Sequence, residues 1–178
     1  SHFRGIGQSL ASAAIPLAAA GGGIPAVLGK IVKDAMGVQE AENLFEVSMG
    51  NMTETARAWS EDLASSLNMN ANTIRENVGM FNVMFGSMGL GEKAAYGLSK
   101  GLTKLGYDMA SFYNLGVDEA FEKLRAGISG ETEPLKRLGI AIMEEDVKLF
   151  AWRNNIAAVG KELSQQEKIL ARYGLILQ

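Results

Sequence analysis

The order of apolar and polar positions follows a helical period through most of the chain, with no sustained two-residue alternation, and it predicts an all-α fold. Ile74, Val78, Phe81 and Phe85 recur at four, three and four residues, so they share one helix face, which Met80, Met84 and Met88 widen. Leu98, Leu102, Leu105, Met109 and Phe112 then step by four, three, four and three within a helix over 92–113. This is the seam spacing of a bundle helix or short coiled coil, and it does not fix an oligomeric state. Val117, Phe121, Leu124 and Ile128 mark the inward face of the next helix. Before these lie a helix over 52–67 with Ala56, Trp59, Leu63 and Leu67 on one face, and one over 38–50 with Leu44 and Val47 inward and Glu40, Glu42 and Glu46 exposed. After them, a helix over 144–159 carries Val147, Phe150 and Ile156 inward, with Trp152 less clearly placed.

Local signals set the boundaries between these faces. Asn51 and Glu54 stand at capping-box spacing, and so do Ser164 and Glu167 ahead of a last helix over 165–177. The Asn-rich stretch 68–72 suits a turn followed by an N-cap. Gly86, Gly89 and Gly91 interrupt the pattern as a hinge or helix C-cap, and Asn114-Leu-Gly116 and Gly127 with Gly130 close the next two helices. Pro134 sits in the first turn of a short helix that ends near Gly139. Together these signals give about eight to ten short helices. The last stops in mid-pattern at Gln178, so the natural chain is expected to continue.

The N-terminal part has a different character. From Gly5 to Gly29 no residue is charged, a run of 25 positions bounded by Arg4 and Lys30. About 20 apolar residues suffice to cross a bilayer, but this run is mostly Ala and Gly, with Pro16, Pro25 and Gly21-Gly22-Gly23 inside it. Two short apolar helices over 6–20 and 25–36, hinged at the glycines, are the expectation, with Ile6, Ile15, Leu17, Ile24, Val27 and Leu28 as candidate membrane-contacting residues. A membrane-inserting hairpin and a buried Ala-rich segment of a larger assembly both fit, because small residues also let helix backbones approach closely. The chain thus divides into an apolar segment, 1–36, and a helical domain, 37–178.

Composition narrows the chemistry. The 178 residues contain no Cys, which removes disulfides, thiolate metal sites and Cys nucleophiles. The single His is His2, so neither a Ser–His pair nor a His-based zinc site is expected in the helical domain. Gly86 and Gly91 have the spacing that opens a phosphate-binding loop, but Glu92 stands where that loop needs Lys, and its carboxylate repels phosphate. Gly97 and Gly101 form a GxxxG pair in a helix that Lys100, Lys104 and Asp108 make aqueous, so they are expected to admit a close neighbour rather than drive membrane dimerisation. Seventeen basic and 20 acidic residues leave a net charge of −3, and Lys136-Arg137 is an isolated basic pair, so no specific nucleic-acid binding is expected. No catalytic residue, cofactor site or metal site is assigned. Nine Met beside 13 aromatic residues make the apolar surface adaptable.

Several phrases of the sequence carry a resemblance. Met88-Gly-Leu-Gly-Glu-Lys-Ala-Ala-Tyr96, Tyr107-Asp-Met-Ala-Ser-Phe-Tyr-Asn114, Glu119-Ala-Phe-Glu-Lys-Leu-Arg-Ala-Gly127 and Gly130-Glu-Thr-Glu-Pro-Leu-Lys-Arg-Leu-Gly-Ile140 are its main carriers. Met49-Gly-Asn-Met-Thr-Glu-Thr-Ala-Arg-Ala-Trp59 and Leu163-Ser-Gln-Gln-Glu-Lys168 extend it over roughly residues 45–178. This stretch resembles tape measure proteins of tailed bacteriophages and prophages, particularly of Gram-positive hosts. The resemblance implies a non-enzymatic structural segment of a much longer chain, lying in several copies in the tail tube, whose full length sets tail length. It implies a place in the tail lumen of the virion, in the host cytoplasm during assembly, and in the host envelope when the protein leaves ahead of the DNA. Its implied partners are other copies of itself, tail tube and tail tip proteins, tail assembly chaperones and the host membrane. From the residues alone, an independent membrane-inserting or pore-forming helical domain is the alternative.

Overall fold

The structure is a computed structural model that describes residues 24–178, with side chains described from residue 37 onward. It is all-helical, and no strand occurs among the described residues. The helices are α1 (Ile24–Met49), α2 (Thr53–Leu67), α3 (Ala71–Ser87), α4 (Glu92–Phe112), α5 (Val117–Ser129), α6 (Glu133–Lys136), α7 (Glu144–Arg153) and α8 (Gln165–Ile176), with a 3₁₀ turn at Gly50–Met52. The chain divides into two compact units, Ser1–Glu40 and Ala41–Gln178. Seven of the helices, α2 to α8, lie wholly within the second.

This is fewer than the eight to ten expected for the whole chain, of which the helix expected over 6–20 lies outside the described residues, and one reason is α1. Segments 25–36 and 38–50 were expected as separate helices, yet they form one continuous helix through Gly37. A glycine inside a helix costs only about 1 kcal/mol and does not by itself stop it. The helix stops at Gly50, whose φ of +52° reverses the chain.

Two apolar clusters hold the second unit together. The larger is centred on α3, α4 and α5, where Ile74, Phe81, Phe85, Leu102, Phe121, Leu124 and Ile128 are buried, and it extends through Leu135, Val147, Ile169 and Ile176 to α6, α7 and α8. Phe81 stacks on Phe121 at 5.5 Å between ring centroids, and Tyr107 meets the same ring edge-on at 5.1 Å. Asn77 donates to the Tyr107 hydroxyl at 2.8 Å, so both polar groups are satisfied inside the core. The smaller cluster consists of Phe45, Met49, Ala56, Val78 and Tyr96, and it seats the end of α1 against α2, α3 and α4.

The faces of α3 and α5 match the expected spacing: Ile74, Val78, Phe81, Phe85, Phe121, Leu124 and Ile128 are all buried. Three others are turned. On α1 the buried pair is Phe45 and Met49, while Leu44 and Val47 are exposed; Glu42, expected to be exposed, is drawn into ion pairs. On α2 the buried line is Ala56, Ser60 and Ala64, with Leu67 exposed and Trp59 and Leu63 partly covered. On α4 the buried face is Ala95, Tyr96, Ser99, Leu102, Thr103, Gly106, Tyr107, Met109 and Ala110. Ser99 and Thr103 are satisfied by donating to the carbonyls of Ala95 and Ser99, which lets polar side chains pack there.

Boundaries show a similar mixture. The Ser164–Glu167 capping box is present, with Glu167 N–H donating to Ser164 Oγ and Ser164 N–H to the Glu167 carboxylate. Asn70 caps α3 through the amide of Asn72 at 2.8 Å. The Asn51–Glu54 box is absent: Met52 holds the N-cap place of α2 without a side-chain bond, and Asn51 donates to Glu92 instead. The glycines 86–91 close α3, with Gly89 at φ +86° and the amides of Gly89 and Leu90 returning to Gly86 and Phe85. Helix α7 ends at Arg153 rather than reaching 159, because Asn155 takes φ +56° two residues on.

Candidate functional site

The densest polar constellation of the second unit surrounds the end of α1. The first turn of this docked end carries Glu42, and one turn later stands Glu46, on the same face. Arg57 of α2 and Arg75 of α3 converge on it. Glu42 Oε1 pairs with Arg57, Glu42 Oε2 accepts from Arg75 Nε at 2.9 Å, and Glu46 accepts from Arg57 at 3.1 Å. Asn72 orients the Arg75 guanidinium from the other side. The Arg57 guanidinium also lies over the Phe45 ring, 5.7 Å from its centroid, so the ionic latch and the apolar anchor share a residue.

Electrostatics follow from this arrangement. Burial pulls the Glu42 carboxyl upward, but hydrogen bonds and charge from Arg57 and Arg75 outweigh it and hold the group below its ordinary value. The hydrogen bond that Arg57 donates to Glu42 raises the guanidinium correspondingly. Beneath the latch, Asn82 donates to the Ser48 carbonyl at 2.5 Å, and Phe45 lies so close to α3 that a Cβ on Gly79 would stand 3.5 Å from its Cα. The arrangement binds a helix; it contains no nucleophile paired with a base.

A second feature is an open groove along α3 and α5. One part, about 460 Å³, is floored by Met80, Val83 and Met84 and edged by Glu122, Arg125 and Ser129. The adjoining part, about 310 Å³, continues past Lys123, Glu133 and Arg137. Arg125 donates to the Met80 sulfur at 3.2 Å, while its Nε is buried without a partner. Both acidic and basic groups line this surface. Among the described residues no three His, Cys, Asp or Glu side chains are grouped to hold a metal ion.

The expected site residues are placed as follows. Of the seam, Leu102 and Met109 are buried, Leu98 and Leu105 are partly buried against the main core, and Phe112 is 81% exposed, its ring set edge-on to Tyr113. Of the membrane candidates, Ile6, Ile15 and Leu17 lie outside the described residues; Ile24, Val27 and Leu28 lie in the α1 helix, with side chains outside them. No helix among the described residues is long and apolar enough to cross a membrane. Within the GxxxG pair the two glycines differ. A Cβ at Gly101 would collide with the Tyr173 hydroxyl, whereas Gly97 has nothing within 4 Å.

The latch of Glu42, Arg57 and Arg75 escaped the periodicity argument because its members are drawn together only by tertiary packing. One signal was available: Arg75 is the single basic residue of a strongly apolar α3, and Glu42 and Glu46 have no basic partner within their own helical turn. No protein-family profile, curated protein or solved structure matches the chain.

Proposed function

We propose that this chain is a structural segment of a phage tail tape measure protein, housed in the tail tube as part of a longer polypeptide and released ahead of the genome. The observation that carries the reading is where the resembling phrases fall. They contain Tyr96, Tyr107, Met109, Phe121, Leu124 and Leu135, all buried, so the likeness runs through residues that specify packing rather than through a surface pattern. A compact helical body does not serve as the ruler itself, since a folded domain does not extend by about 1.5 Å per residue as a lone helix does. The role assigned to residues 41–178 is therefore assembly and delivery, with other copies, tail tube and tip proteins, and assembly chaperones as partners. The Ala- and Gly-rich segment 5–29 is assigned contact with the host membrane.

Peptide mass spectrometry on purified particles before and after DNA ejection tests this. Peptides from 41–178 are expected in filled tails and lost from emptied ones; their absence from filled tails would sink the reading. The membrane assignment is separable. Dye release from liposomes by the 178-residue chain, abolished by deleting residues 5–29, is expected, and no release from any lipid composition would remove that part alone.

A further inference from the structure

The connection between α1 and α2 has one residue of left-handed backbone. Met49, Met52 and Thr53 have φ of −80°, −90° and −52°, and among residues 49–53 only Gly50 has positive φ, at +52°. Rotating Gly50 alone into the right-handed region would therefore merge α1 and α2 into one helix over 24–67, about 65 Å long. Glycine takes either hand readily, so no Cβ opposes a change of hand at this position. The folded-back state is secured by contacts of the α1 end that are local to it: Thr53 donates to the Gly50 carbonyl at 2.7 Å, Asn51 to Glu92 at 3.2 Å, and Phe45 and Met49 fill the small cluster that stands apart from the main core.

We infer that the α1 end exchanges between two copies of this chain, the hinge at Gly50 straightening and each copy's Glu42, Phe45 and Met49 docking into the other's cleft between α2 and α3. The occupant is fixed by what the cleft already recognises. Arg57 and Arg75 await a carboxylate, Gly79 leaves room for an aromatic side chain one turn on, and Val78, Ala56 and Tyr96 receive the Met that follows, a pattern met by α1 itself. The contacts of Glu42, Phe45 and Met49 are remade in the exchanged dimer and only those at the hinge itself change, so the balance rests on the hinge and on concentration. Short hinge connections of this kind favour such exchange. The inference does not depend on the tail-protein reading.

Two experiments on the 178-residue chain test it. Gly50→Ala disfavours the left-handed backbone and is expected to shift the equilibrium toward the dimer by about tenfold, read as mass by light scattering across a concentration series. Gly50→Asn brings the same Cβ, 2.7 Å from the movable Glu92 carboxylate, but tolerates the left-handed region, so it is expected to stay closer to the parent than Gly50→Ala and isolates the effect of backbone hand. The chain has no Cys, so cross-linking is free of background. A Cβ at Gly79 would lie 3.7 Å from the Phe45 Cβ, within the range of about 3.5–4.5 Å for a disulfide. The Phe45→Cys and Gly79→Cys chains, refolded together and oxidised, are expected to give an interchain disulfide, and the double variant an intrachain one. A Gly50→Ala chain that remains an extended or compact monomer at all concentrations would overturn the inference. So would a dimer lacking the interchain 45–79 link when the double variant forms its own.

Discussion

Glu42 and Arg75 lie 33 residues apart in sequence and close a 2.9 Å ion pair that fastens the end of α1 to α3, with Arg57 of α2 completing the pair from the other oxygen. The pair is 27% exposed at Glu42 and 11% at Arg75, shielded enough to matter, and the two arginines together outweigh the desolvation that opposes the charged carboxylate.

Glu42→Gln is expected to destabilise the chain by about 1–2 kcal/mol at neutral pH in urea unfolding. Its pH dependence has a definite sign. The folded carboxyl is held below the ordinary value of 4.5, so its contribution is fully present above that value, declines as the unfolded chain takes up the proton, and is gone once pH falls through the lower folded value. Glu144 behaves alike, chiefly because Lys168 hydrogen-bonds to it at 2.9 Å. Gln at both positions should flatten the loss of stability on acidification; an unchanged acid slope would show that neither pair contributes.

Gly106 and Gly97 should respond oppositely to Ala. A Cβ at Gly106 would meet the Phe121 ring at 2.5 to 2.9 Å, inside the α4–α5 contact, so Gly106→Ala is expected to cost about 1–3 kcal/mol. Gly97 faces open space on the same helix, and Gly97→Ala is expected to add about 0.5–1 kcal/mol. Paired urea titrations read both, and equal effects would contradict the packing described.

Phe81 and Phe112 should respond very differently to Ala, one lying in the main core and the other being the member of the expected seam left outside it. Phe81→Ala removes a ring that is 1% exposed and stacked on Phe121, and about 3–5 kcal/mol should be lost. Phe112→Ala should change stability by less than about 0.5 kcal/mol, because its ring is already in water. A large loss at Phe112 in the monomer would mean that the ring is covered.

Ser164→Ala removes the oxygen that accepts from Glu167 N–H at the start of α8 and is expected to cost about 1 kcal/mol. Thermal unfolding followed by circular dichroism is sufficient to read it.

What the sequence made legible depended on which side chains do the packing. α3 and α5 bury large apolar residues at regular spacing, and their faces are readable directly. α4 buries Ser99, Thr103, Gly106 and Ala110, small residues that counting hydrophobic positions passes over, and Gly106 is where the Phe121 ring approaches. The face of α1 is ambiguous in sequence for a related reason: Phe45 and Met49 suit the helical period as well as Leu44 and Val47 do, and only the cleft between α2 and α3 decides between them. Tertiary ion pairs such as Glu42 with Arg75 have no local signature, and neither does the hand that Gly50 adopts. The chemistry of the α3–α5 groove was equally silent, since Met80, Arg125 and Glu131 come from separate segments.

The most direct test of the proposed tail role is the size and location of the natural polypeptide that carries these residues. An antibody raised against residues 41–178 should detect, in purified tails, a single chain several-fold larger than the 19.0 kDa of the sequence itself, and should lose that band after DNA ejection. A free 19.0 kDa polypeptide found outside the particles, with no larger band in the tails, would contradict it.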